Sequence, residues 1–315
     1  MVVRKLNYYR VFCFIAIVIA IIVFSVKFIN KKQYEKTYEY KFTQKGYSLE
    51  EINTLQKELT ETQLNEILNK EYNEYLTGFL SEKYFLYKNL DAYLEYKKEH
   101  KKEENKKIVS IINTEANIDW FDGTKETDLS KKELMLVNRL YGLKSDYEPS
   151  DIIDVPSKYA YSGKKISNSI LQPMIDMFTA ASEQGYKIVV TDGYRTYKEQ
   201  EKIYDSYVDS YGMSETDKLV ARPGHSEYQT GLSFDVAPYN KVLDNPKETE
   251  EYKWLRENAH KYGFIFRFDE DKKYLTQFNA STWRLRYVGK DAATIIKNEN
   301  ICYEEYYAYF VDKEK

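Results

Sequence analysis

The chain of 315 residues has only two cysteines and three histidines. Cys13 lies inside an uncharged apolar run and Cys302 near the C-terminus, so the two are not expected to pair and no intramolecular disulfide staples the fold. Cys302 reads as a small packed residue. Imidazole is confined to His100, His225 and His260, which leaves few candidates for a metal centre. An excess of one charge sign is also missing. The net charge is −3, with 47 basic and 50 acidic residues interspersed, and nothing in it suggests a nucleic-acid-binding face. What is abundant is tyrosine, 32 residues. Beside many Lys, Asn and Ile, it reads as AT-biased codon usage rather than as a tyrosine-based binding device.

The N-terminus carries the clearest physical signal. Val11 to Val26 holds no charge, and Phe28 and Ile29 extend the run past Lys27. With Arg10 and Lys27 snorkelling, residues 10–29 reach the roughly 20 residues that a bilayer core requires, and Tyr8 and Tyr9 suit the headgroup level. A cleaved signal peptide is the competing reading. No Ala-x-Ala-like site follows the run, so an uncleaved anchor is expected. Basic residues flank both ends and barely discriminate orientation. The short preceding tail (residues 1–9) and the long polar chain beyond favour a cytoplasmic N-terminus and an extracytoplasmic remainder.

Residues 33–105 are charged, Tyr-rich and helical in pattern, which predicts a helical stalk or hairpin. Ser48 and Glu51 form a capping-box signature. Ile52, Leu55 and Leu59, then Leu64, Ile67 and Leu68, make a helical stripe broken near Thr60 to Thr62. A second helix is expected from Ser81 to Lys98, and His100 should lie on the surface. From residue 106 the texture changes. Strands are predicted at 108–112, 187–191, 233–237 and 264–268. Helices are predicted at 167–184 (its true start near Leu171, because Pro173 belongs in a first turn), 197–211 and 250–262. Without regular βαβ spacing the fold class is α+β.

Four segments occur in order: Asp192-Gly193-Tyr194-Arg195-Thr196, Pro223 to Asp235, Trp254 to Ile265, and Trp283 to Gly289. Together they resemble the VanY-type (LAS-type) D-alanyl-D-alanine carboxypeptidases, zinc enzymes that trim peptidoglycan stem peptides. The resemblance covers roughly residues 150–295. It implies a peptidase domain over 106–315 with a small mixed or antiparallel sheet and flanking helices. In that family Ser-x-His-x-x-Gly-x-x-x-Asp supplies two zinc ligands, and Glu-x-Trp-His supplies the base and the third ligand. Ser226, Gly231 and Asp235 match the first pattern, but Tyr228 falls on its His. Trp283 matches the second, but Ser281 falls on the Glu and Arg284 on the His.

These replacements remove the chemistry. A catalytic zinc uses about three protein ligands and an open position for water. Tyr has a pKa near 10, Arg has no lone pair to give, and Ser is no base unaided. No metal and no catalytic residue are therefore expected, with zinc implied only if the family activity is retained. Arg284 should instead face Asp235, with the Tyr228 hydroxyl as an added donor. Arg195, Gln200 and Ser226 fall on positions that resemble substrate contacts, although Asp192 should weaken anion binding by repulsion. The leading expectation is a membrane-anchored pseudoenzyme that binds a peptidoglycan stem peptide or a cell-wall protein. The alternatives are an active metallopeptidase with a rearranged site, for example His225 with Asp235, and an interaction protein working through its stalk. His260 reads as a packed or surface residue.

Overall fold

The computed structural model describes residues 8–119, 123–240, 246–281 and 283–312. Most of the tail expected at residues 1–9 lies outside them. The chain divides into two units, Met1–Lys106 and Lys107–Lys315.

In the first unit the helix Tyr8–Tyr34 contains a 24-residue stretch, Val11–Tyr34, that is long and apolar enough to cross a membrane, with none of its apolar window buried. Short helices follow at Tyr38–Lys45, Leu49–Glu58, Glu61–Leu68, Leu76–Leu80 and Leu90–Glu99. Ser48 and Thr60 each close a capping box, with Glu51 and Gln63, so the break near Thr60 is a helix start satisfied by its own side chains. Phe42, Ile52, Leu55, Ile67, Phe79 and Tyr93 are buried together. This part is thus a packed helical module with a core of its own. The helix expected from Ser81 begins only at Leu90. His100 is half-buried, its ring stacked on Tyr96 at 3.9 Å.

The second unit opens with a helix, Asn105–Asn113, where a strand was expected at 108–112. A five-residue apolar run does not distinguish a strand from a buried helix turn. Here Ile108, Val109 and Ile111 are buried, and Ser110 Oγ donates to Glu305 Oε1 at 2.7 Å. Two small ladders follow: parallel β1 (Lys125–Glu126) with β2 (Tyr141–Gly142), and antiparallel β3 (Ile152–Asp154) with β4 (Lys165–Ser167). The main sheet contains β5 (Ile188–Asp192), β6 (Ser233–Pro238), β7 (Phe264–Phe266) and β8 (Arg284–Tyr287) in the order β5-β6-β8-β7, antiparallel throughout. The helix Leu171–Glu183 starts where Pro173 falls in its first turn.

Alternation along these strands separates two faces. Val190, Phe234, Val236, Phe264 and Leu285 pack with Met174, Met177 and Phe178 of the Leu171–Glu183 helix into the main core. The opposite face carries polar residues in register: Ser233 opposite Arg286, and Asp235 opposite both Asp192 and Arg284. Ile265, the other partner of Arg286, joins a second apolar cluster with Val288, Ala293 and Tyr303.

Gly231 fixes the turn entering β6. Its φ is +70°, and a Cβ there would meet Ile152 Cδ1 at 2.6 Å and Ser167 N at 3.0 Å. Both backbone strain and overlap oppose any side chain. We expect Gly231→Ala to destabilise this unit by about 2–4 kcal/mol, measured by denaturant unfolding of the full chain against wild type.

Candidate functional site

Glu227 begins a single 3-10 turn, Glu227–Thr230, that enters β6. Its carboxylate is buried and would be costly alone. Two arginines converge on it. Arg267, just past β7, places Nε 3.0 Å from Glu227 Oε1, and Arg286 of β8 places Nη1 3.0 Å from the same oxygen. Ser233 Oγ donates to the other oxygen at 3.2 Å. The outer fork of Arg267 binds Glu304 with two bonds, at 3.0 and 2.8 Å. Arg286 Nη2 donates to the carbonyls of Glu133 and Met135. Two cations and two anions are thus closed into a neutral buried network, each charge spent on short hydrogen bonds.

The residue after Glu227 is Tyr228, and its ring lies between two guanidinium groups. Arg195 Cζ and Arg284 Cζ each stand 4.4 Å from its centroid, a cation–π arrangement on both counts. Arg284 Nε donates to Asp235 Oδ1 at 3.0 Å, a bond between directly opposed residues of β6 and β8. The Tyr228 hydroxyl is buried beside the Asp235 carboxylate. The ring, held by its two cationic neighbours, is what fills the position. Burial pushes the phenol pKa further up, outweighing the favourable field of Arg284, so the oxygen is no better an anionic ligand here than in water.

Arg195 ion-pairs with Asp192 and donates from Nη1 to Gln200 Oε1 at 3.3 Å. Asp192 thus neutralises Arg195, the two lying three residues apart at the end of β5. Gln200 is buried and its amide donates to the Ala221 carbonyl at 2.8 Å. Ser226, Ser281, Tyr228 and Arg284 line one cavity of about 200 Å³. The expected site residues thus gather in a single region.

The donor set does not fit a zinc ion. Of the three positions that the resemblance aligns with zinc ligands, Tyr228, Asp235 and Arg284, only Asp235 has ligand chemistry, and it is already paired with Arg284. His225 lines the same cavity, but its Nδ1 lies 2.7 Å from the Asn138 carbonyl and its ring packs against Gly142. Burial lowers its pKa. That makes His225 an anchor between the turn and β2, and gives no support to a rearranged His225–Asp235 site. His260 lies in the turn after the Glu250–Asn258 helix, against a different cavity that also contains Cys302. Among the described residues no group of three His, Cys, Asp or Glu converges as a metal cage.

Sequence reasoning missed the network that supports this region. The available signal was charge inside apolar strand patterns: Arg267 follows Phe264-Ile265-Phe266, and Arg286 sits between Leu285 and Tyr287. Burial opposes ionisation of Glu304, but Arg267 outweighs it and holds the carboxyl below the usual range. A folded-state pKa below the unfolded one, about 4.3, means that the stabilisation is present at neutral pH. It is lost as pH falls from the unfolded value through the folded one. Glu304→Gln is expected to cost about 3–5 kcal/mol near neutrality and to flatten the acid limb of a stability-against-pH curve.

A sequence profile of the VanY D-alanyl-D-alanine carboxypeptidase family matches residues 163–290. The chain is 35% identical to the putative carboxypeptidase YodJ of Bacillus subtilis over 193 residues, 59% of this chain and 71% of the relative. It is 34% identical to a D-alanyl-D-alanine carboxypeptidase of Enterococcus faecalis over 191 residues, 58% of this chain and 68% of the relative. Among solved structures, the LdcB LD-carboxypeptidase superposes with a TM-score of 0.56 at 34% identity, covering 61% of this chain and 93% of that one. Others of this kind were solved with D-alanyl-D-alanine and with Zn(II). By sequence and fold alike, the chain belongs to the VanY family of D-alanyl-D-alanine carboxypeptidases.

Proposed function

We propose that this protein is a membrane-anchored, extracytoplasmic member of the family that has exchanged hydrolysis for binding. One observation carries the reading: at two ligand positions the family's imidazoles are replaced by the Tyr228 ring and by the Arg284 guanidinium, and the latter is bonded to the remaining ligand position, Asp235. A fixed cation takes the place of the ion's charge beside the carboxylate. Ser281, at the position of the general base, cannot activate water unaided. The cavity lined by Ser226, Ser281 and Arg284 is polar on one side and walled by apolar side chains, and its occupant is a peptidoglycan stem peptide. The apolar helix Tyr8–Tyr34 serves as the anchor, and the helical module after it as a spacer between membrane and peptidase-like unit.

Purified full chain should contain far less than one zinc per molecule by elemental analysis after exposure to zinc, and should not release alanine from a pentapeptide ending in D-Ala-D-Ala. One tightly held zinc per chain, or turnover abolished by a chelator, contradicts the proposal. The combined substitution Tyr228→His, Ser281→Glu and Arg284→His restores a His, His, Asp set with a base. It should restore stoichiometric zinc uptake on a scaffold that is otherwise unchanged.

A further inference from the structure

A second cavity, of about 90 Å³, shares only Phe268 with the one that Arg284 lines. Cations border it from several elements: Arg256 of the helix Glu250–Asn258, His260 of the turn after it, Lys272 of the turn Glu270–Lys272, and Lys297 of the helix Lys290–Glu299. Arg267 forms part of the wall, and Asp269 is the one carboxylate. Three of the cations are already matched. Arg256 pairs with Asp269 at 2.8 Å, Lys272 with Glu305 at 3.2 Å, and Arg267 with Glu227 and Glu304. Lys297 is different: it is exposed, and among the described residues its ammonium makes no hydrogen bond or ion pair. His260 is the other unmatched group. Its Nδ1 is buried without a hydrogen-bond partner, and among the described residues no hydrogen bond fixes the ring. Burial, and then the charges of Lys261 and Lys297, hold its pKa below the ordinary imidazole value, so the ring is neutral near pH 7.

We infer that this cavity binds a phosphate-type dianion between the Lys297 ammonium and the His260 ring, with Arg256 and Lys272 at its border. An anion there supplies what both unmatched groups lack: a countercharge for Lys297 and an acceptor for an imidazole N–H. The bordering cations come from two helices and two turns. That suits a tetrahedral anion, which offers oxygens in several directions, better than a planar carboxylate, which a single guanidinium fork can take. The volume is several times the roughly 10–15 Å³ that one water needs and well below the roughly 300–1,000 Å³ of ordinary ligand pockets. It admits inorganic phosphate or the end of a small phosphate monoester, and not a diester with a substituent on either side. A monoester, with a second pKa of about 6, is mainly a dianion at neutral pH. None of Tyr228, Asp235 and Arg284 borders this cavity, so the inference stands apart from the reading of the cleft.

The test follows the three imidazoles of the full chain by NMR, with histidine labelled, in detergent micelles and a phosphate-free buffer. His260→Gln identifies its signal by loss. Inorganic phosphate and glycerol 3-phosphate are added in separate titrations, with chloride at matched ionic strength as the control. At least one of the two is expected to move the His260 signal saturably and to make that ring titrate about one pH unit higher, because a nearby anion favours the imidazolium. Lys297→Gln, at an exposed position, should weaken the response about tenfold. Lys261→Gln should change it much less, since that ammonium is bonded to Asn258 Oδ1 and does not border the cavity. A response to inorganic phosphate alone assigns the free ion, and a stronger response to glycerol 3-phosphate assigns the monoester; either supports the inference. No saturable shift with either probe, an equal shift with chloride, or a phosphate shift undiminished in Lys297→Gln overturns it. The wild-type titration against chloride decides the matter even where a variant misfolds.

Discussion

The buried carboxylate of Glu227 governs the geometry of this half of the molecule. An ionised group without water has to be matched by donors, and the matching groups come from distant parts of the chain: Arg267 after β7, Arg286 on β8 and Ser233 on β6. Glu304, near the C-terminus, then neutralises the far side of Arg267. Each bond ties a separate segment to the turn Glu227–Thr230. Because Tyr228 is the next residue, its ring has little freedom once Glu227 is held. Because Arg284 and Arg286 are two apart on one strand, they project from the same face, and fixing one in the network aims the other at Asp235. The site is thus positioned from beneath by charge pairing, while the opposite face of the sheet is held by apolar packing on the Leu171–Glu183 helix.

This arrangement explains why the side chains of Tyr228, Asp235 and Arg284 are mutually consistent. Asp235 lies in the middle of a cross-strand row, between Asp192 and Arg284. Two carboxylates side by side repel unless cations separate their fields. Each here has its own arginine, Arg195 for Asp192 and Arg284 for Asp235. Tyr228 then supplies an aromatic face to both guanidinium groups. The ion pairs are part-exposed, with about a quarter of the Arg284 and Asp235 side chains accessible. Their worth is accordingly specificity of geometry more than bulk stability.

The sequence made much of this legible where local chemistry decides structure. Pro173 located a helix start to the residue, the Ser48 box marked a cap, and the order of four motifs pointed to the fold. It misled where long-range packing decides. The run Ile108 to Ile112 has β-branched content but coils, since its environment is a buried helical contact with Glu305 nearly two hundred residues away. The pairing of Asp192 with Arg195 could not be read either, because sequence spacing shows neither a side chain's direction nor its nearest opposite charge. The pairing within the Glu227 network was hidden for the same reason: charge inside the strand patterns was visible, but Arg267, Arg286 and Glu304 become partners only after the strands are laid side by side.

One consequence concerns how such a site changes. The interactions at Tyr228, Asp235 and Arg284 are not independent, so their energies should not add. Introducing an imidazole at Tyr228 alone leaves a permanent cation facing the only carboxylate ligand, and a divalent ion arriving there meets Arg284 and Arg195 at close range. Replacing Arg284 alone leaves Asp235 beside Asp192 with one cation between them. Each single step toward a metal site therefore passes through an unbalanced charge in a partly desolvated cleft, where Coulomb terms are larger than in water. The joint exchange ends neutral, because a divalent ion enters as the Arg284 charge leaves and Ser281→Glu adds a carboxylate. The same coupling that makes the metal-free arrangement self-consistent makes it difficult to leave by single substitutions.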